Sequence, residues 1–278
     1  MGIFDFFRRK KKSAGPHKNG DHSQPAEATR HCFVLCKAAD PGDLSRASQI
    51  AAEVLGTDYS AVVDDDRIVS ISILRRGSCI GILAHLPAPI PNQEAEQYAD
   101  RNVLWPNGKV EAGLHRSHVI VTNLCGEEQT PIQSALEVTQ LALIALRLFD
   151  GIGVYWGNAE ATNSRETFET FCSDISEEHL PVPMWLRFQL VRANDKEVGL
   201  YTVGMNQFGL MEIEVDRTTM QPMELVQFVS NIANYLVQSG PVIADGNTVG
   251  GSEEQRILVR HRASMVDEGR RVYKIVFE

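Results

Sequence analysis

The sequence predicts an α+β protein with two ferredoxin-like α/β sandwich halves, largely antiparallel sheets and a preceding disordered basic tail. Three observations support this: short apolar segments of strand character, longer segments with apolar residues at helical spacing, and turns that join neighbouring strands into hairpins. Helices that alternate with hairpins favour sheets covered by helices on one face. We predict a tail over residues 1–30, an N-terminal half over 31–113 and a C-terminal half over 114–278.

The tail differs in charge from the rest of the chain. Residues 1–30 hold seven Lys/Arg and three Asp/Glu, a net charge of +4, whereas the remainder holds 20 and 33, a net charge of −13. Residues 1–12 combine three Phe and one Ile with five consecutive cations, a pattern open to weak peripheral contact with an anionic membrane. A solvated tail is the alternative. The acidic remainder argues against nucleic acid as a partner, because phosphate neutralisation needs a basic face.

The first half begins with a strand at 31–36, which is rich in apolar and β-branched residues. A helix follows up to Leu55 because apolar side chains recur at helical spacing, and Gly56 ends it. Segments 67–74 and 79–86 are predicted to form a hairpin across a turn that contains Gly77. A short helix is expected at 93–101.

The second half begins with a strand at 118–124. Thr130 and Pro131 start a helix that runs to Phe149 and is apolar on most sides, so it should be buried. A buried strand at 151–156 is followed by a surface helix at 164–174, with Phe168 and Phe171 expected to point inward. The remaining predicted elements are strands at 184–191, 198–203 and 210–215, a helix at 223–238, and strands at 242–244, 256–260 and 272–277.

Four ordered blocks over about residues 87–278 resemble the bacterial domain-of-unknown-function family 4261. The blocks are Leu-His-Arg-Ser-His-Val-Ile-Val at 114–121, Gly-Val-Tyr-Trp-Gly at 153–157, Phe208-Gly209 followed by Glu-Ile-Glu at 212–214, and Asp-Gly-Asn-Thr-Val-Gly at 245–250 with Ser-Glu-Glu at 252–254. The resemblance implies a soluble bacterial protein. It supplies no activity and no catalytic residues.

His115 and His118, with Arg116 between them, are the nearest approach to a metal-ligand spacing. Residues three apart on a strand point to opposite faces, so one ion could not take both imidazoles there. Structural histidines and an anion site at His115 and Arg116 are the alternatives. We predict no metal and no cofactor.

Acidic and glycine-rich segments near the C-terminal end give further candidates. Asp245, Asn247 and Thr248, with Glu253 and Glu254 beyond them, belong to a polar glycine loop that is either a tight structural turn or a ligand or partner loop. Glu212 and Glu214, two apart, share one face of a predicted strand. They are either an acid/base or cation-binding pair or part of a solvated sheet face.

Tyr155 and Trp156 are interpreted as core or groove aromatics. Because the sequence shows no recognisable catalytic arrangement, the favoured hypothesis is a non-catalytic binding protein, of adaptor or immunity type, whose partner is another protein. A hydrolase-like or metal-dependent enzyme that uses His115 and His118, or Glu212, Glu214 and Asp245, is the alternative. Five cysteines without a Cys-x-x-Cys pair, and no export signal, predict a cytoplasmic protein with reduced thiols.

Overall fold

The computed structural model of the chain describes residues 30–64, 68–124, 129–250 and 257–277. These residues divide into two compact units, one that ends at Arg187 and one that begins at Phe188. Each unit contains one sheet, and antiparallel pairing dominates both sheets, so the predicted α+β class is confirmed. The ferredoxin-like arrangement of the halves stays a prediction. The predicted tail, apart from Arg30, lies outside the described residues.

The first unit is built on a seven-stranded sheet in which all neighbours are antiparallel, in the order β2-β3-β4-β5-β1-β6-β7. Its strands are β1 His31–Cys36, β2 Tyr59–Asp64, β3 Ser70–Arg75, β4 Ser78–Leu86, β5 Ser117–Asn123, β6 Gly151–Trp156 and β7 Ala161–Ser164. Its helices are α1 Ala47–Leu55, α2 Glu94–Asp100, α3 Gly108–Ala112, α4 Pro131–Leu148, α5 Arg165–Phe171 and α6 Val182–Trp185.

Helix α4 covers one face of this sheet. Thr130 caps it in a reciprocal pair with Gln133, and Pro131 occupies its first turn, so the predicted start is confirmed. Twelve of its residues are buried, as its all-round apolar character predicts. Its Leu141 lies against Gly81 of β4, where an added Cβ would clash, so glycine permits the helix to lie close to the sheet.

Helices α2 and α3 cover the opposite face at the β1–β6 end. Successive side chains of a strand point to opposite faces, so Val34 of β1 lies near α4 whereas Leu35 joins a cluster with α2 and α3. That cluster also contains Trp105, from the loop between the two helices, and Tyr155 of β6. This packing positions Trp105, which lines a groove on the first unit.

The second unit has a six-stranded sheet in the order β11-β12-β13-β10-β9-β8. Its elements are β8 Arg187–Arg192, β9 Val198–Val203, β10 Ile213–Thr218, α7 Pro222–Ser239, β11 Thr248–Val249, β12 Ile257–Ala263 and β13 Arg271–Phe277. Strands β10 and β13 are parallel, and the long connection between them includes α7 and the strands β11 and β12. The buried side of α7 carries the predicted apolar residues Leu225, Phe228, Val229, Ile232 and Leu236.

Several predicted boundaries differ from the structure. The predicted division between residues 113 and 114 falls within one sheet, because β5 pairs with both β4 and β1, and the units divide at 187/188. Residues 242–244 form no strand, since their backbone closes a turn against β12. In the described part of the chain, no helix has the length and apolar character needed to cross a bilayer.

Candidate functional site

His115 and His118 both form hydrogen bonds with the backbone of residues 88–90 in the first unit. The backbone N–H of Ile90 donates to Nε2 of His115 at 2.9 Å, and Nδ1 of His115 lies 2.7 Å from the carbonyl oxygen of Ala112. Nδ1 of His118 lies 2.7 Å from the carbonyl oxygen of Ala88. Because a carbonyl only accepts, each Nδ1 carries a proton, and His115 is the neutral tautomer with both nitrogens engaged.

This environment makes the two histidines structural. Burial lowers the pKa of His118, and its hydrogen bond to Ala88 opposes that shift. The His115 side chain is fully buried, so it cannot join Arg116, which is exposed, in a surface anion site. Among the residues that the structure describes, no group of three or more His, Cys, Asp or Glu side chains could hold a metal ion.

Tyr155 and Trp156 face opposite sides of the first sheet. The Tyr155 hydroxyl donates to Glu94 at 2.7 Å, and its ring stacks between Phe33 and Tyr98. Trp156 is fully buried on the other side and lies 6.3 Å from Trp185 between ring centroids. The interpretation as core aromatics therefore fits both positions.

The glycine loop of the second unit, residues 245–250, contains a turn that hydrogen-bonds to β12. Asp245 accepts from the backbone N–H of His261 at 2.7 Å, which lowers the pKa of that carboxyl. The Asn247 side chain accepts from the backbone N–H of Ala244, and its carbonyl accepts from Val259. Gly246 has a φ of +84°, as such a turn requires. Thr248 pairs with Leu258, while Glu253 and Glu254 lie outside the described residues.

Glu212 serves the backbone at the end of β9. One of its carboxylate oxygens accepts from the N–H groups of Gly204 and Met205, at 2.9 and 3.0 Å, and the other accepts from the Thr202 hydroxyl at 2.6 Å. It therefore fixes the short 3-10 helix Met205–Phe208. Burial raises the pKa of Glu212, and these hydrogen bonds oppose that shift.

Glu214 forms a buried ion pair with Lys274 on the neighbouring strand. Lys274 Nζ lies 2.9 Å from a Glu214 oxygen and also contacts Asp216. The Ser264 hydroxyl and the Met265 N–H donate to Glu214 at 2.5 and 3.0 Å. Desolvation lowers the pKa of Lys274, but the two carboxylates more than offset this and raise it. The Glu214 side chain is only 2% exposed, so the alternative of a solvated sheet face is wrong.

Glu212, just before β10, and Glu214, within it, line one cavity of about 110 Å³. Tyr201, Met211 and Arg271 are among the other residues around it. Both carboxylates are engaged by donors of the protein, so neither is poised as a free general base. The small volume and these bonds indicate that the cavity is part of the packing of the second unit.

A larger groove lies on the first unit, between α5 and the segment that carries α3. Its volume is about 1150 Å³, above the usual range for a small-molecule pocket. Trp105, whose indole N–H donates to Glu111 at 2.7 Å, and Ile152 of β6 contribute apolar surface. An added Cβ at Gly153 would lie 2.7 Å from the carbonyl oxygen of Asn163 and 3.1 Å from Trp105, so glycine leaves space for both the neighbouring strand and the indole.

Two large apolar side chains stand exposed in the groove. Leu114, just after α3, is 46% exposed, and Phe171, at the end of α5, is 41% exposed. Val110, one helical turn before Leu114, is 72% exposed. Clustered apolar side chains that remain in contact with water are characteristic of interaction sites.

The charged residues of the groove are predominantly acidic. They are Lys37, Glu111, Asp150, Arg165, Glu166 and Glu169, which comprise two cations and four carboxylates. Arg165 binds Asp150 at 2.8 Å and Glu169 at 3.3 Å, so much of its charge is neutralised within the protein. An apolar and cationic segment is the complementary ligand.

The residue pattern did not predict this groove. It predicted Phe168 and Phe171 to point inward together, but only Phe168 is buried. Phe171 is the last residue of α5 and borders the groove. The exposure of Leu114, two residues beyond α3, is likewise visible only in the structure.

The second unit is thus a mixed-sheet domain with one long helix and a buried ion pair beside a small cavity. Residues 201–276, which contain most of this unit but not β8, match the family model described as Domain of unknown function (DUF4261). The predicted resemblance is confirmed for that segment, and the match does not reach the blocks at 114–121 and 153–157. Neither a curated protein nor a solved structure matches the chain.

Proposed function

We propose that this is a non-catalytic interaction protein that binds a segment of another protein in the groove between α3 and α5. The exposure of Leu114 and Phe171 in a groove of about 1150 Å³ is the observation that carries the proposal. Aromatic and large apolar residues at the centre of an interface contribute most of its binding energy. The four carboxylates of the groove, which we call its acidic rim, add a preference for a partner segment with net positive charge.

The engagement of the polar candidates supports binding over catalysis. His115 and Glu214 are buried and Glu212 is half-buried, and all three accept hydrogen bonds from backbone N–H groups, which leaves them few lone pairs for a substrate. A cytoplasmic location belongs to the same proposal. Cys32, Cys36, Cys79 and Cys172 are all free thiols, as expected in a reducing compartment.

The test is quantitative capture of partners from a bacterial lysate with the full chain as bait. Leu114→Asp combined with Phe171→Asp places charge in the groove, and Ile68→Asp is the matched control because Ile68 is also exposed, at 58%, and does not line the groove. We expect a stoichiometric partner that the wild type and the control retain and the groove variant loses by about tenfold or more. Equal capture by all three proteins would refute the groove as the binding site.

Salt dependence tests the predicted charge of the partner. Contacts between a cationic segment and the exposed carboxylates Glu166 and Glu111 are screened at high ionic strength. With the purified partner, we expect Glu166→Gln to weaken binding at low salt and to have little effect at 0.5 M salt. An unchanged or tighter affinity for Glu166→Gln at low salt would contradict the acidic-rim argument.

A further inference from the structure

The chain itself contains a segment with the chemistry that the groove requires. Residues 1–12 provide four large apolar side chains, Ile3, Phe4, Phe6 and Phe7, followed at once by the five cations of residues 8–12. The groove offers exposed Leu114 and Phe171 together with four carboxylates and two cations. Apolar surface and charge are therefore complementary between the two.

The chain is long enough to bring this segment to the groove. Residues 13–30 separate it from β1, and 18 residues span up to about 60 Å when extended, at about 3.3 Å each. The groove reaches Lys37, which directly follows the far end of β1. The six residues of β1 cover only about 20 Å. The distance to be bridged is thus well within reach.

We propose that residues 1–12 occupy the α3–α5 groove of their own chain as an internal ligand that competes with the protein partner. This inference rests on the proposed function, because it assigns the same groove to a first occupant. A covalently attached ligand binds at an effective concentration that an external partner must exceed, so modest complementarity is enough to regulate access. Removal of residues 1–12 would then increase partner binding.

The test is site-specific photo-crosslinking in the full chain, with a benzophenone amino acid in place of Phe6. At low protein concentration, we expect intramolecular cross-links to residues 104–114 and 164–171, mapped by mass spectrometry. Leu114→Asp with Phe171→Asp should reduce their yield about tenfold, and Ile68→Asp should leave it unchanged. A benzophenone at Gln24, on the same tail but outside residues 1–12, should give few cross-links to the groove.

Other outcomes identify other occupants. Cross-links between two copies that disappear on dilution would show that the groove binds residues 1–12 of a second copy, and the internal ligand would be wrong. Cross-links at sites unaffected by the groove substitutions would overturn the assignment. Binding to phosphatidylserine vesicles that depends on residues 1–12, without cross-links to the groove, would assign this segment to a membrane surface.

Partner capture with residues 13–278 separates this inference from the proposed function. We expect capture to rise several-fold relative to the full chain, since the competing segment is gone. If capture depends on Leu114 and Phe171 but does not change without residues 1–12, the internal ligand is wrong and the groove remains a partner site. If capture is independent of the groove, the proposed function is wrong as well.

Discussion

Glu214 and Lys274 illustrate how single residues can be buried with their charges intact. Neither side chain is more than 10% exposed, yet the Glu214 carboxylate has three donors and the ammonium of Lys274 has two carboxylates. Desolvation of each ion is costly, and this set of partners offsets the cost. Glu212, two residues earlier, is half-buried, and its partners are backbone N–H groups and a hydroxyl instead of a cation.

Removal of one partner of this pair should therefore be strongly destabilising. We expect Lys274→Met to lower the free energy of unfolding of the second unit by about 3–5 kcal/mol, because it leaves Glu214 buried without its cation. Urea denaturation followed by circular dichroism measures the change. Adding Glu214→Gln removes the orphaned charge and keeps an acceptor for Ser264, so the double variant should recover part of the loss. A double variant less stable than Lys274→Met would contradict this explanation.

At the scale of elements, local signals and tertiary packing differ in how well the sequence reveals them. Thr130 and Pro131 specify the start of α4 through hydrogen bonds within a single turn, and the predicted start is confirmed. The exposure of Phe171, the last residue of α5, depends on what packs beside the end of the helix, which the residue pattern of the helix does not specify. The groove arises from such an end, so it was accessible only from the structure.

The capping box of α4 gives a prediction at this scale. Thr130→Ala removes the side-chain oxygen that accepts from Gln133 N–H at 3.2 Å, and the loss of such a cap typically costs about 1 kcal/mol. We expect a decrease of that size in the unfolding free energy of the first unit, measured by urea denaturation. Thr130→Ser retains the oxygen and should cost only a few tenths of that amount. Equal losses in the two variants would mean that the methyl group matters rather than the cap.

At the scale of the whole molecule, the sequence predicts the α+β class and most helices and strands, but not how strands from distant segments combine. β5 begins the predicted second half and yet pairs between β4 and β1. Pairing of this kind is set by side-chain packing on both sheet faces, which involves residues far apart in the chain. Among the candidate site residues, His115, His118 and Glu214 are buried and Glu212 is half-buried, and all four have hydrogen-bond partners within the protein. A polar residue flanked by apolar residues gives the same sequence pattern whether its side chain binds a ligand or the backbone.

The buried histidines predict how the stability of the first unit depends on pH. Burial lowers the pKa of His85 and of His118 from the usual value of about 6.5. His118 lowers the pKa of His85 further, whereas Asp40 raises it. Between the lowered pKa and about 6.5, the unfolded chain binds more protons than the folded one. Stability should therefore fall as the pH decreases from 7 towards 5.5.

Variants isolate this contribution, because Glu212 acts with the opposite sign. Its raised pKa means that the folded protein takes up a proton first, so its own contribution grows as the pH falls. The informative quantity is the difference between wild type and His118→Gln, in which the amide can still donate to the Ala88 carbonyl. We expect the wild type to lose more stability than His118→Gln between pH 7 and 5.5 in urea titrations. Parallel curves would show that His118 does not titrate differently in the folded and unfolded states, and that its burial is not what shifts the equilibrium.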